Sequence, residues 1–130
     1  MSGYDLYTLA AHAGREDFAT LGVHAAPIDL SSTYPVMDPE AGTASLDALA
    51  AGGEPIGSPV YSRLYNPTVA RFEGALAKLE GAEASVAFGS GMAAMTAALL
   101  AASADGRHVV AVRPLYGGTD HLLASSLLAR

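Results

Sequence analysis

Three short clusters bring together residue types that can hold an anion and meet a planar ring. They are Tyr61-Ser62-Arg63, Gly89-Ser90-Gly91-Met92 and Tyr116-Gly117-Gly118-Thr119. Arg63 is a permanent planar cation whose forked donors match a phosphate. Tyr116 follows an apolar segment, at the end where open α/β sheets place ligands, and its ring can stack on another. Each cluster alone also fits a plainer role: a surface arginine, an ordinary strand-to-helix turn, a loop tyrosine. The four histidines, His12, His24, His108 and His121, lack metal-ligand spacing, so no metal site is expected. Asp29 and Glu73 have no partner visible in the sequence and are expected in solvent.

The element that must position the second cluster is the stretch from Ala84 to Ala102. Ala84 to Phe88 is short and apolar, with β-formers at Val86 and Phe88, which suits a buried strand. Gly89 and Gly91 break it, and Met92 to Ala102 is rich in Ala, Leu and Met, which favour helix. A helix start leaves free N–H groups and a partial positive charge. A glycine turn lets an anion approach them closely. A phosphate cradle and a plain α/β turn both fit this stretch.

The remaining elements follow in order. Tyr4 to Ala13 predicts a short helix ended by Gly14. Residues 22–36, with Pro27 and Pro35, read as extended and irregular. Ser45 to Ala51 predicts one or two helical turns closed by Gly52-Gly53. Residues 1–65 offer little that buries itself and read as an arm lying on another surface, such as a second subunit. From Asn66 the pattern changes. Asn66 is a good N-cap, Pro67 fits the first helical position, and Val69, Phe72, Leu76 and Leu79 recur at helical spacing up to Gly81. His108 to Val112 predicts a second strand, and Thr119 is expected to cap a last helix, Asp120 to Arg130. Residues 66–130 therefore read as helix, strand, helix, strand, helix, an α/β pattern with an incomplete parallel or mixed sheet.

Bulk properties narrow the function classes. A chain of 130 residues allows one domain. Its hydrophobic fraction is 51% and its charged fraction 15%, enough apolar material for a core and for surface that is meant to be covered. Net charge is -6 and the seven Lys and Arg residues are scattered, which argues against a nucleic-acid partner. Without cysteine there are no disulfides or thiolate metal sites. The first residues lack a secretory pattern, and the longest apolar run, Met92 to Ala102, is too short to span a bilayer. A cytoplasmic protein without membrane contact is the expectation.

Taken in order, the motifs are far more specific than any one of them. Tyr61-Ser62-Arg63, Asn66-Pro67-Thr68, Lys78-Leu79-Glu80-Gly81, Ser90-Gly91-Met92 and Leu115-Tyr116-Gly117-Gly118-Thr119 resemble the front part of the Cys/Met-metabolism pyridoxal-phosphate (PLP) enzymes. That family includes cystathionine γ-synthase, cystathionine γ- and β-lyases, methionine γ-lyase and O-acetylhomoserine sulfhydrylase. Thr8 to Gly14 and Ala26 to Tyr34 share the resemblance, and Met37 to Ser58 is its least typical part.

The resemblance implies an N-terminal arm, 1–65, and the first part of the large domain of the aspartate-aminotransferase type, 66–130. It implies that backbone N–H groups of Gly91 and Met92 hold the cofactor phosphate. Tyr116 would stack on the pyridine ring and assist proton transfer. Tyr61 and Arg63 would reach the phosphate of a neighbouring subunit's cofactor, in a homo-oligomer built as a dimer of dimers. The implied reaction is elimination or replacement on sulfur amino acids or acyl-homoserine. The family's cofactor-bearing lysine and its pyridinium-binding aspartate lie beyond residue 130. Lys78 does not match that lysine position, so the 130 residues alone are expected to be inactive. Methionine γ-lyases often carry a cysteine two residues after the stacking tyrosine, where this chain has Gly118.

Two other classes compete with the enzyme reading. One is a non-catalytic module that retains the cradle and the arm. The other is a nucleotide-binding α/β domain using the glycine turn, but the third glycine at the expected spacing is missing and no acidic residue ends the following strand.

Overall fold

The structure is a computed structural model and describes residues 4–103 and 108–125. Six helices form among them, in two compact units, Met1–Val86 and Ala87–Arg130.

The first unit begins with α1, Leu6–His12, whose N-cap Asp5 accepts the Thr8 N–H at 2.8 Å. Gly14 follows with φ +77°, a conformation that suits glycine and ends the helix as expected. A single turn, α2 (Phe18–Leu21), stops at Gly22 in the same left-handed region. Helix α3 runs over Pro39–Ala50, longer at its start than the Ser45-to-Ala51 expectation. Asp38 caps it through the Glu40 N–H, and Pro39 sits in the first turn. Helix α4, Pro67–Glu80, has the expected bounds. The Asn66 side chain accepts the Thr68 and Val69 N–H groups, and Gly81 closes the far end.

Residues 14–34 contact α4 through polar groups. Arg71 donates to both carboxylate oxygens of Asp17 and to the Gly14 carbonyl, while Lys78 pairs with Glu16. Gly14 lies against α4 so closely that a Cβ there would stand 3.2 Å from the Ala75 Cβ. Phe18 has the Arg15 and Arg71 guanidinium groups over its ring, at 5.2 and 5.4 Å from its centroid. Further along, the Asp29 N–H donates to the Thr68 hydroxyl, and Asn66 Nδ2 donates to the Asp29 carbonyl and the Tyr34 hydroxyl. The apolar row of α4 is less covered than its spacing suggests: Val69 and Phe72 are exposed, and Ala77 is the buried apolar side chain.

The second unit holds α5, Gly91–Ala102, and α6, Gly117–Ser125, packed on each other. Helix α6 starts before the expected Asp120. The Tyr116 carbonyl accepts the Asp120 N–H at 3.0 Å, so Thr119 lies inside the first turn, buried, and does not cap it. The expected residues of this helix beyond Ser125 lie outside the described residues.

The α/β expectation is not met by strands here. Residues 84–88 and 108–112 are non-helical, but neither belongs to a ladder, and the one β pairing among the described residues is an isolated bridge between Thr33 and Tyr61. A strand is held by pairing of its backbone groups with a neighbour. Without one, Val86, Val110 and Val112 stay exposed. No helix among the described residues is long and apolar enough to cross a membrane.

Candidate functional site

The glycine turn delivers the helix start that the sequence calls for. Ser90 is extended, with φ -160° and ψ 157°, and its hydroxyl accepts the Ala93 N–H at 3.1 Å. The Ser90 carbonyl takes the Ala94 N–H. That leaves the N–H groups of Gly91 and Met92, which have no acceptor among the described residues. Apart from adjacent residues and the helix's own backbone, no atom lies within 4 Å of where a Cβ would stand on Gly89 or on Gly91, so the glycine turn is open on that side. Two free amides at the positive end of a 12-residue helix can hold an anion.

Tyr116 is brought to the same place. Its exposure is 74%, so its ring is available to a ligand. Gly118 joins it to the helix start: a Cβ on Gly118 would stand 2.9 Å from Met92 Sδ and 2.9 Å from Tyr116 Cε1. The Thr119 hydroxyl also faces Met92 Sδ, at 3.8 Å. The Met92 side chain and the Tyr116 ring therefore meet at Gly118 within the second unit, and Gly91 precedes Met92 in the chain.

Tyr61 and Arg63 lie in the first unit, where the Arg63 guanidinium sits over the Tyr61 ring at 5.2 Å from its centroid. Both are exposed, and Arg63 has no carboxylate partner among the described residues. A cation held over a ring with its donors unused is ready for an external anion.

Two residues expected in solvent are engaged. The Asp29 carboxylate accepts the Ser31 N–H at 2.8 Å, which holds its carboxyl below the usual range, with Tyr34 adding to the effect. Burial and the nearby Asp29 charge push the Tyr34 hydroxyl up. Glu73 accepts the Ser85 hydroxyl through its carbonyl, and its charge helps raise Tyr65, whose pKa burial and Glu54 raise more strongly. Sequence reasoning missed Asp29 because its partners come from the Ser31 backbone and from Tyr34.

With the geometry in place, comparison with known proteins decides the family. The profile described as Cys/Met metabolism PLP-dependent enzyme matches residues 7–129. The chain belongs to that family. The Cys/Met metabolism PLP-dependent enzymes use pyridoxal 5'-phosphate, and membership implies the PLP-dependent transferase fold. An L-methionine gamma-lyase of Streptomyces avermitilis is 65% identical over 125 residues, covering 95% of this chain and 30% of the relative. An L-methionine gamma-lyase of Brevibacterium aurantiacum is 57% identical over 127 residues, covering 93% of this chain and 30% of its own length. The O-acetyl-L-homoserine sulfhydrylase of Corynebacterium glutamicum is 41% identical over 120 residues, covering 92% and 26%. The chain thus spans less than a third of the length of these relatives. No solved structure matches it significantly.

The residues present fit the family cofactor. Free amides at Gly91 and Met92 suit its phosphate, and the open Tyr116 ring suits its pyridine.

Proposed function

We propose that this chain works within a PLP-dependent enzyme of the relatives' length that cleaves the carbon–sulfur bond of methionine. The observation that carries this is a helix start with two acceptorless amides, Gly91 and Met92, whose Met92 side chain lies by Gly118 together with the exposed Tyr116 ring, in a chain 65% identical to an L-methionine gamma-lyase. PLP, when bound, supplies the electron sink for elimination. The chain's own residues bind and orient. The Gly91 and Met92 N–H groups hold the phosphate, the Tyr116 ring stacks on the pyridine, and the Tyr116 hydroxyl oxygen passes a proton at the substrate. Tyr61 and Arg63 serve the phosphate in a neighbouring subunit, within a cytoplasmic dimer of dimers. In this reading 1–65 is the arm and 66–130 opens the large domain.

The 130 residues alone are inactive in this account. Their one lysine, Lys78, is ion-paired with Glu16 on α4 and is not offered to a cofactor. A second reading, replacement on an acyl-homoserine, is favoured by Gly118 and by the 41% identity to an O-acetyl-L-homoserine sulfhydrylase.

The test assays a family-length enzyme carrying this sequence. Release of methanethiol and an α-keto acid from methionine is the expected result. Turnover only with O-acetylhomoserine plus sulfide selects the second reading. No turnover with either, in protein that binds PLP, favours a non-catalytic module.

A further inference from the structure

We propose that Ser45, buried in α3, is a positioning residue for Tyr61 and Arg63. The proposal rests on the reading that Arg63 serves a cofactor phosphate. Ser45 is 0% exposed, although it is a polar residue in the segment least typical of the family. Its hydroxyl accepts the Ile56 N–H at 3.2 Å and donates to the Ser58 carbonyl at 2.7 Å. The Ser58 hydroxyl in turn accepts the Val60 N–H at 3.3 Å. One buried hydroxyl therefore fixes both ends of residues 56–58, and Ser58 passes that constraint to Val60.

Val60 is where the constraint acts. It has φ +65°, and it is the one residue other than glycine with positive φ among the described residues. A β-branched side chain pays steric strain there. The Tyr61 N–H donates to the Pro59 carbonyl at 2.7 Å, closing a three-residue γ-turn around Val60. The Val60 carbonyl accepts the Tyr34 N–H and the Ser62 N–H donates to the Ser32 carbonyl, both at 3.0 Å. Tyr61 is thus bracketed on both sides, and Arg63 lies over its ring. Strain of this kind persists only where the surroundings over-determine it, and it concentrates at functional sites. The Ser45 hydroxyl is the buried end of the chain of hydrogen bonds that does so. Helix α3 then has a role: it holds the turn that presents Tyr61 and Arg63.

A double-mutant cycle tests this in the family-length enzyme, with the equilibrium dissociation constant of PLP as the readout. Arg63→Ala is expected to weaken PLP binding about tenfold, by loss of a charge-assisted phosphate contact. Ser45→Ala is expected to weaken it about threefold or more, and Ser45→Ala added to Tyr61→Phe/Arg63→Ala is expected to cause no further loss. A further loss on top of Tyr61→Phe/Arg63→Ala would mean that Ser45 does not act through Tyr61 and Arg63, and would overturn the proposal. Unchanged PLP affinity in folded Ser45→Ala would overturn it as well. If Ser45→Ala does not fold, Ser58→Ala, in a half-buried loop, carries the same expectation and is judged the same way. Unchanged affinity in Arg63→Ala overturns the underlying reading of Arg63 and the proposal with it. That outcome is distinct from a failure at Ser45 alone.

Discussion

The Thr119 hydroxyl stands 3.8 Å from Met92 Sδ and ties the first turn of α6 to the first turn of α5. Gly118 sits between them with no room for a side chain. A Cβ would lie 2.9 Å from Met92 Sδ and 2.9 Å from Tyr116 Cε1. The thioether can yield, whereas the ring must turn. Gly118→Ala should therefore change the visible circular dichroism of bound PLP. Removing a helical glycine stabilises by about 1 kcal/mol, and crowding costs about 1–3 kcal/mol. The expected net is a destabilisation of about 1 kcal/mol in thermal unfolding. An unchanged dichroism spectrum would show that Tyr116 does not meet the ring.

Acid should loosen residues 16–21 from α4. Hydrogen bonds from Arg71 hold the Asp17 carboxyl below its usual range, and Lys78 does the same for Glu16. A depressed carboxylate pKa stabilises the fold above the unfolded value, about 4, and that contribution is lost as pH falls through the folded value. Hydrogen exchange in α2, corrected for intrinsic rates, should accelerate between about pH 5 and pH 3. Arg71→Met combined with Lys78→Met should remove that pH dependence. Equal acceleration in the variant would place the acid effect elsewhere.

Asn66 serves α4 and the 29–34 segment with different atoms. Its Oδ1 accepts the Thr68 and Val69 N–H groups, while its Nδ2 donates to the Asp29 carbonyl and the Tyr34 hydroxyl. Asn66→Ala loses both roles, and the cap alone is worth about 1–2 kcal/mol. Asn66→Asp keeps the cap and loses the donor, so it should cost less in urea denaturation. Equal costs would mean that the contacts to Asp29 and Tyr34, not the cap, carry the stability.

Local signals were legible in the sequence where they decide structure alone. Asn66-Pro67 and Gly81 bound α4, and the glycine turn before Met92 starts α5, because caps and glycines act within a few residues. Asp38-Pro39 is the same kind of signal as Asn66-Pro67, but Gly42 and Thr43 weaken the helix pattern behind it and hid the first turns of α3. Gly117-Gly118 hid the start of α6 in the same way, leaving Thr119 to look like a cap. The strands over 84–88 and 108–112 depended on pairing partners that local sequence does not supply. Gly91, Met92, Tyr116, Tyr61 and Arg63 are candidates that motif order supplies. Ser45, Val60 and the engaged Asp29 were not legible, since their partners are set by how the loops fold.

The central claim is that backbone N–H groups at the start of α5 hold the cofactor phosphate, and Gly91→Pro tests it most directly. Proline suits the first helical position and lacks the N–H. Extended Ser90 is compatible with a following proline, and the space around the Gly91 Cα is open. The helix should therefore remain while one phosphate donor disappears. In the family-length enzyme, PLP binding is expected to weaken about tenfold or more, with unchanged far-UV circular dichroism. Wild-type PLP affinity in folded Gly91→Pro would contradict the account.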